Sequence, residues 1–319
     1  MTTALYTHPD AAAHVMPEGH PEQVARIEAI WEALAAPAFD ALDRREAPLA
    51  DDAALLRCHP QSHLDKVARA VADARGGWSA LDPDTHAMAA SDRAARRAVG
   101  GAVAAVDAVM AGEVANAFVA MRPPGHHAEA ARPMGFCLYG TVAIAARHAL
   151  DAAGAARIAV VDIDVHHGNG TQALLWDEAR AAFVSTHQYP FYPGTGAAQE
   201  RGAHGQIVNV PLAAGTGSTA YRAAFDATVA PAVAAAAPDL ILVSAGFDAH
   251  RDDPLAMLDL RTEDFAWIAD RLCAIAGDLC CGRVVSVLEG GYDLAALPDS
   301  VAAYLGAMMR GGGTGGDRG

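Results

Sequence analysis

Residues 157–170 read RIAVVDIDVHHGNG, an apolar run that ends in acidic, imidazole and glycine residues. The β-branched run predicts a buried strand, and the polar residues after it predict a ligand site at the strand end. Side chains alternate between faces along an extended strand, so Asp162, Asp164 and His166 are expected to share one face. A carboxylate and an imidazole two residues apart can then bind one metal ion.

Further strands and helices are predicted on both sides of this segment. Similar apolar runs occupy residues 116–121, 182–186, 239–244 and 283–288. Helices are predicted over residues 92–110 and 141–153, each followed by a glycine stop signal. Strands that alternate with helices form a parallel sheet covered on both faces. We therefore predict an α/β fold in which helices sandwich a parallel β-sheet.

The composition indicates one globular domain. The chain has 319 residues, of which 52% are hydrophobic and 19% charged. No repeat, Ser/Pro-rich linker or shift in composition occurs before Arg310, so residues 1–309 are predicted to form a single domain. Residues 310–319, which are rich in glycine, are predicted to form a disordered tail.

Charge and cysteine content exclude several classes of partner. The chain carries 23 Lys and Arg against 38 Asp and Glu, a net charge of −15, which disfavours nucleic-acid binding. No run approaches the roughly 18 apolar residues of a membrane span, and the first residues lack the features of a signal peptide. The five cysteines form no CxxC pair, which fits a reducing compartment. We expect a cytoplasmic protein without a nucleic-acid or membrane partner; the oligomeric state is left open.

Polar residues follow four predicted strands directly. The segments are RPPGHHAE at 122–129, DIDVHHGNG at 162–170, FDAHRDDP at 247–254 and EGGY at 289–292. In open α/β sheets the carboxyl ends of the strands form the ligand-binding edge. These segments are therefore expected to converge on one site.

A third metal ligand is expected from a neighbouring strand. Catalytic zinc takes about three protein ligands and keeps a position open for water. Asp248, at the end of the next strong strand, is the best candidate beside Asp164 and His166. Because two carboxylates make this set rich in oxygen, Fe²⁺, Mn²⁺ and Co²⁺ are also compatible with it. Taken alone, Asp162 and Asp164 also fit residues that cap a turn.

Paired histidines and a tyrosine offer proton-transfer groups. Pro123, Pro124 and Gly125 precede His126 and His127 and would present both imidazoles rigidly. Histidine suits acid and base roles near neutral pH, and Asp162 and Asn169 are available to orient the two rings. Tyr292 can donate to a developing oxyanion. Taken alone, the histidine pair also fits a surface position, and Tyr292 also fits a core aromatic.

Six segments in this order resemble the zinc-dependent histone deacetylase family. They are RPPGHHAE, GFC (135–137), DIDVHHGNGTQ, FYPGTG (191–196), SAGFDAHRDDP and LEGGYDL, and GHPEQVARI (19–27) precedes them. The resemblance spans roughly residues 5–307, and Asn169 is similar to the class II branch and bacterial histone deacetylase-like amidohydrolases. It implies the arginase/deacetylase-like fold and a hydrolase that removes an acyl group from an acyl-lysine-like substrate by zinc-activated water.

The resemblance also implies roles for individual residues. Asp164, His166 and Asp248 match the zinc ligands, and Tyr292 matches the phenol that polarises the acyl carbonyl. His126 and His127 match the proton-transfer pair, with Asp162 behind the first and Asn169 behind the second. Because a carboxylate favours a charged imidazole and a neutral amide does not, His127 is the expected base.

Other positions match a tunnel for the acyl chain. Phe136 and Tyr192 would flank the chain, Gly135 and Gly291 would line it, Leu255 would stand at its mouth, and Arg26 would lie beneath it. The second aromatic is usually Phe in the family, and Gly140 stands where Asn is common. A structural K⁺ ion is also implied near Asp162, Asp164, His166 and Ser185.

Three alternatives stay open. An acetylpolyamine amidohydrolase is favoured by the negative charge, whereas such enzymes can place Glu where this chain has Leu255. An arginase-type dimanganese ureohydrolase would need Asp at the positions of Gly168 and His250. A non-catalytic binder of acyl ligands would need a disrupted site.

Overall fold

A parallel sheet of eight strands forms the centre of the protein in the computed structural model, which describes residues 2–312. The strands are β1 (Thr3–Thr7), β2 (Asp43–Glu46), β3 (Ser79–Ala80), β4 (His86–Ala87), β5 (Asn116–Val119), β6 (Ile158–Asp162), β7 (Ala181–Gln188), β8 (Ile207–Leu212), β9 (Leu240–Ala245) and β10 (Val284–Leu288). Their order in the large sheet is β2-β1-β5-β10-β9-β6-β7-β8, and β3 and β4 form a separate antiparallel pair.

Eleven α-helices are found in the same part of the chain. They are α1 (Asp10–Ala13), α2 (Ala25–Ala33), α3 (Asp52–Leu55), α4 (Gln61–Asp73), α5 (Ser91–Met110), α6 (Thr141–Asp151), α7 (Asn169–Leu174), α8 (Ser218–Ala224), α9 (Ala230–Ala236), α10 (Thr262–Leu279) and α11 (Ala296–Gly312). A 3₁₀ turn at Pro37–Phe39 and a π-helical turn at Phe225–Val229 complete the set. None of the helices in residues 2–312 is long and apolar enough to cross a membrane.

The prediction of a parallel sheet sandwiched by helices is confirmed. Every residue of β5, β6, β9 and β10 is buried, as expected for strands covered on both faces. The sequence analysis missed β1 and β2 at one side of the large sheet, β8 at its other edge, and the separate pair β3 and β4.

The predicted boundary before the tail differs from the observed end of α11. The helix continues through Arg310 to Gly312, so residues 310–312 belong to the helix and not to a disordered tail. Gly312 is buried where an added Cβ would lie 3.2 Å from the Cβ of Ala115. The rest of the predicted tail, residues 313–319, lies outside the described residues.

The four strands that precede the polar segments are neighbours at the centre of the sheet, in the order β5-β10-β9-β6. Because these strands are parallel, their carboxyl ends open on one edge. The fold therefore brings together four loops that are far apart in the sequence.

Candidate functional site

Two carboxylates and one imidazole form a candidate metal site at this edge. Ligand atoms of Asp164, His166 and Asp248 all lie within 4.8 Å of one another, and all three residues are buried. Nδ1 of His166 lies 3.0 Å from Oδ1 of Asp164 and 3.1 Å from Oδ2 of Asp248. It is the only such group of three or more metal-binding side chains within residues 2–312.

The chain reaches this arrangement by a different route from the one expected. Strand β6 ends at Asp162. The side chains of Asp164 and His166 therefore do not share a strand face with Asp162. The backbone bends after Asp162, and the N–H of His166 donates to Oδ1 of Asp164 at 2.9 Å. The alternation argument was therefore wrong, because a local turn brings the two side chains together.

Backbone N–H groups orient both carboxylates. Gly290 N–H donates to Oδ2 of Asp164 at 2.9 Å, and Val165 N–H donates to Oδ1 of Asp248 at 2.8 Å. A Cβ at position 290 would lie 2.1 Å from Oδ2 of Asp248, and a Cβ at position 246 would lie 2.2 Å from Oδ2 of Asp164. Only glycine fits at these two positions without moving the ligands.

The charges of this group suit a bound cation. Burial lowers the pKa of His166, but its hydrogen bonds to Asp164 and Asp248 raise it overall, to about 10. Burial and the neighbouring charge of Asp164 raise the pKa of Asp248 to about 7. Two buried carboxylates in contact need positive charge between them. The three donors therefore fit a divalent metal, with an oxygen-rich donor set.

His126 and His127 lie beside this group with different partners. Nδ1 of His126 is 3.0 Å from Oδ2 of Asp162, whereas Nδ1 of His127 is 2.8 Å from Oδ1 of Asn169. Burial lowers the pKa of both rings, but the charges of Asp164 and Asp162 raise that of His126 well above its usual value. The pKa of His127 stays well below its usual value, because burial and the nearby His126 and His166 oppose a positive charge.

The amide of Asn169 fixes the tautomer of His127. Its Nδ2 donates to Oε1 of Glu129 at 2.8 Å, so its Oδ1 faces His127 as an acceptor. Nδ1 of His127 must then carry the hydrogen in the neutral ring. This leaves Nε2 of His127 as a free proton acceptor.

Glu289 supports the histidine loop and was missed by the sequence analysis. Its Oε2 accepts from Gly125 N–H at 2.6 Å and from His126 N–H at 3.1 Å. Burial raises the pKa of this carboxyl to about 7. Oε1 of Glu289 has no hydrogen-bond partner among the described residues. Glu289 stands in the EGGY segment, which the sequence analysis had singled out. Its role was not predicted, because the loop that it supports is over 160 residues away in the sequence.

Arg26 anchors the loop that carries Tyr292. Its Nε donates to the carbonyl of Gly291 at 2.5 Å, and its Nη2 donates to the carbonyl of Glu289 at 2.6 Å. The guanidinium carbon also lies 4.8 Å from the centre of the Tyr292 ring. Burial raises the pKa of the Tyr292 phenol well above its usual value. The phenol is therefore held in its protonated, donating form.

A buried ion network lies behind Arg26. Glu22 accepts from Nη1 of Arg26 at 2.9 Å and from Nη2 of Arg122 at 2.7 Å. Burial alone would raise the pKa of Glu22, but the charge of Arg122 and the contact with His14 hold it well below its usual range. Glu22 and Arg122 stand in the GHPEQVARI and RPPGHHAE segments, where the sequence analysis gave them no role.

Aromatic rings border the site. The ring of Tyr192 lies edge-on to His127 with centroids 5.2 Å apart, and the ring of Phe136 lies edge-on to Tyr292 at 5.9 Å. Phe191 stacks on His166 at 5.4 Å and was not among the predicted site residues, although it stands in FYPGTG. Tyr192 is 38% exposed, so it lies at the outer part of this wall.

Glycines and Leu255 complete the surroundings. Gly135 has φ +56°, and a Cβ there would lie 2.4 Å from the His127 ring. Gly291 has φ +118°, a conformation that other residues rarely adopt. Leu255 is half-buried, and its N–H donates to Oδ1 of Asp253 at 2.9 Å. The structure thus brings Gly135 and Gly291 to the catalytic loops, with Leu255 on the adjoining loop.

The positions required for a second metal are occupied by other contacts. Nε2 of His250 lies 3.3 Å from Thr262 Oγ1, and Nδ1 accepts from Asp252 N–H at 3.2 Å. A Cβ at Gly168 would lie 2.2 Å from Oδ2 of Asp162. These contacts disfavour the dimanganese alternative.

Three further residues near the site have defined surroundings. His167 is buried and makes polar contacts with Thr195 Oγ1 at 2.8 Å and Gln172 Oε1 at 3.0 Å. A Cβ at Gly140 would lie 2.5 Å from Cδ1 of Leu174, so a larger residue there would require that side chain to shift. The side chain of Ser185, named for the K⁺ site, contacts Nδ1 of His187 at 2.9 Å.

Comparisons with known proteins agree with this geometry. The profile of the "Histone deacetylase domain" matches residues 20–308. The chain is 40% identical to the "Histone deacetylase-like amidohydrolase" of Pseudomonas aeruginosa, covering 92% of this chain and 76% of that protein. It is 38% identical to "Histone deacetylase 10, chloroplastic" of Oryza sativa subsp. japonica, covering 96% and 73%.

A solved structure is similar over nearly the whole chain. The crystal structure of the "HDA15 HD domain" superposes with a TM-score of 0.91 and is 35% identical in sequence. The match covers 97% of this chain and 89% of that one.

Proposed function

Because the chain belongs to the histone deacetylase family, we propose that it uses zinc to hydrolyse the acyl amide of an acyl-lysine side chain. The family assignment establishes a deacetylase of the amidohydrolase type. The metal, the substrate and the roles of individual residues are the proposed parts.

The observation that carries the proposal is one contact pattern. The Asp164–His166–Asp248 group lies beside His127, whose centroid is 5.9 Å from that of His166. A metal held by these three side chains would therefore lie next to an imidazole that has a free Nε2. Metal-assisted hydrolysis needs this pairing of an electrophile with a base.

When bound, zinc would polarise the acyl carbonyl and lower the pKa of a coordinated water. Nε2 of His127 would take the proton of the attacking water, because its ring is neutral and Nδ1 is already bonded to Asn169. The Tyr292 hydroxyl would donate to the carbonyl oxygen as negative charge develops there. His127 would then return its proton to the departing amine.

His126 has a different proposed role. Its Nδ1 contacts the carboxylate of Asp162 and its Nε2 lies 3.8 Å from Oδ1 of Asp164, so the ring is stable as a cation. A charged imidazole cannot accept the proton of water, but it stabilises negative charge nearby. His126 therefore supports the site electrostatically.

The tunnel mouth favours an acyl-lysine substrate. Leu255, which the family resemblance places at the tunnel mouth, is apolar and half-buried, so it offers no charge to a distant ammonium group. An acetylated polyamine is the second candidate, because the net charge of −15 attracts cations of any kind. The net charge acts at long range, whereas Leu255 acts by contact with the substrate. The ratio of activities on the two substrates therefore distinguishes the two candidate functions.

The test is kcat/KM on an acetyl-lysine peptide and on an acetylated polyamine, measured in parallel with zinc-loaded protein. Asp164→Ala is the blank, because it removes a metal ligand. We expect a preference for the peptide. A preference for the polyamine would overturn the substrate assignment, and turnover of neither would favour a binder of acyl ligands.

The same proposal extends to the setting of the enzyme. We propose a cytoplasmic enzyme that acts on small-molecule or peptide acyl amides without a nucleic-acid or membrane partner; the net charge of −15 supports only the lack of a nucleic-acid partner. Fe²⁺, Mn²⁺ and Co²⁺ remain alternatives to zinc, and the K⁺ site remains a prediction. Activity after reconstitution with each metal ion tests the choice of metal.

A further inference from the structure

Asp253 connects two loops of the site, and neither the metal nor the proton-transfer steps use it. Its side chain is buried. Oδ1 accepts from Leu255 N–H at 2.9 Å, and Oδ2 accepts from Tyr292 N–H at 2.7 Å. One carboxylate therefore contacts both the residue at the tunnel mouth and the residue that polarises the carbonyl.

The peptide bond between Gly291 and Tyr292 is held at both ends. Its carbonyl oxygen accepts from Nε of Arg26, and its N–H donates to Asp253. Two opposed hydrogen bonds fix the rotation of a peptide plane, which fixes the direction of the following Cα–Cβ bond. Gly291 has φ +118°, so this segment adopts a backbone conformation that is rarely populated without support.

Within residues 2–312, neither the Tyr292 N–H nor the Leu255 N–H has a second acceptor. Tyr292 N–H has Asp253 as its hydrogen-bond acceptor, and Leu255 N–H has the other oxygen of the same carboxylate. A buried N–H that loses its acceptor is costly, so the loop would move to find another partner. Such a movement would carry the Tyr292 phenol away from the position that it holds beside Phe136.

We propose that Asp253 is a positioning residue that holds the Tyr292 phenol in its donating position and ties it to the Leu255 loop. The inference rests on the proposed function, because it assigns Tyr292 the role of carbonyl donor. Asp253 acts through the peptide bond of Tyr292 and has no contact with substrate in this scheme.

The first test is a double-mutant cycle with Tyr292→Phe on the zinc-loaded enzyme. Asp253→Asn keeps the shape, but its amide group has only one oxygen for two N–H donors. We expect Asp253→Asn to lower kcat by about tenfold, with KM changed less than about threefold. In the Tyr292→Phe background, Asp253→Asn should cause no further loss. Additive losses would overturn the proposal.

Asp252→Asn is the matched control. Asp252 is the preceding residue, and its side chain is 65% exposed, with only a 3.6 Å contact to His250. The control should retain the wild-type kcat. An equal loss in both variants would mean that any change in this loop impairs turnover, which would overturn a specific role for Asp253.

The second test does not depend on activity. Hydrogen–deuterium exchange followed by mass spectrometry should show faster exchange in two segments of Asp253→Asn, residues 254–258 and 289–295. Exchange of the central strands should stay unchanged. Uniformly faster exchange, or no change at residues 289–295, would overturn the proposal. If the wild type fails to hydrolyse any acyl amide, the proposed function fails, and this measurement alone decides whether Asp253 holds the loop.

Discussion

The rings of His126 and His127 lie 4.0 Å apart between centroids, yet their pKa values move in opposite directions. The charges of Asp164 and Asp162 raise the pKa of His126, whereas burial and the neighbouring His126 and His166 lower that of His127. The pair thus divides into a charged and a neutral imidazole. This division supports the separate roles proposed for the two residues.

His127→Ala should lower kcat by about 10²- to 10⁴-fold, the usual contribution of a general base. His126→Ala should also lower kcat, but the acidic limb of the pH–rate profile should remain. Steady-state kinetics across pH on zinc-loaded protein provides the measurement. If His127→Ala keeps near-normal turnover and His126→Ala loses it, the two roles must be exchanged.

Asn169→Asp should move the acidic limb of the kcat/KM profile to higher pH. A carboxylate behind His127 stabilises its charged form and raises its pKa, and the base must be neutral to act. The same profile measured on Asp162→Asn is the control, because it removes charge behind the other ring. An unchanged limb in Asn169→Asp would contradict His127 as the base.

Leu255→Glu should shift selectivity toward an acetylated polyamine by about two- to fivefold, the effect of a partly solvated charge pair. Leu255→Gln is the matched control, since it is similar in shape to Glu and carries no charge. The ratio of kcat/KM values for the two substrates is the readout. Equal shifts in both variants would show that size, rather than charge, acts at position 255.

Glu289→Ala should destabilise the fold by about 1–3 kcal/mol, because two buried N–H groups lose their acceptor. Glu289→Gln should retain most of this stability, since its amide oxygen can accept from both. Urea unfolding of the three proteins measures the difference. Equal losses in both variants would show that the negative charge, and not the acceptor, is what matters.

The contributions of His59 and His187 to stability should rise as pH increases from about 4 to 6.5. Burial lowers the pKa of both His59 and His187 to about 4, so the unfolded chain binds more protons than the folded one in this range. Each histidine should cost about 2 kcal/mol at pH 5, relative to pH 7. Thermal unfolding measured between pH 5 and 8 checks this expectation. His59→Gln should reduce the dependence, and an unchanged slope would argue against its contribution.

Local patterns were enough to predict the central strands and the ends where the site lies. The buried strands β5, β6, β9 and β10 are mostly apolar runs followed by polar segments. Their positions could therefore be predicted without knowing which strands pair with them. The edge strand β8 includes an exposed proline, Pro211, and was missed for lack of a clean run. The order of the strands in the sheet could not be predicted, because it depends on tertiary packing between segments that are distant in the sequence.

Supporting residues were harder to predict than the groups they support. Glu22, Asp253 and Glu289 act on backbone or arginine groups that are distant in the sequence, and an isolated Asp or Glu has no recognisable spacing. Asp162 and Asn169 were predictable because the family resemblance places them behind the two histidines. The bend after Asp162 was not predictable in this way. Side chains alternate between faces only while the strand continues, and β6 ends at Asp162.

Gly246 and Gly290 are two positions that cannot be varied when this protein is redesigned. A single added methyl group at either position would overlap a carboxylate oxygen of Asp164 or Asp248, so any substitution there would disturb the candidate metal site. Positions 192 and 255 lie on loops with side chains that already reach solvent or are half-buried. A library aimed at new acyl selectivity should therefore vary the mouth residues and leave the two glycine codons fixed.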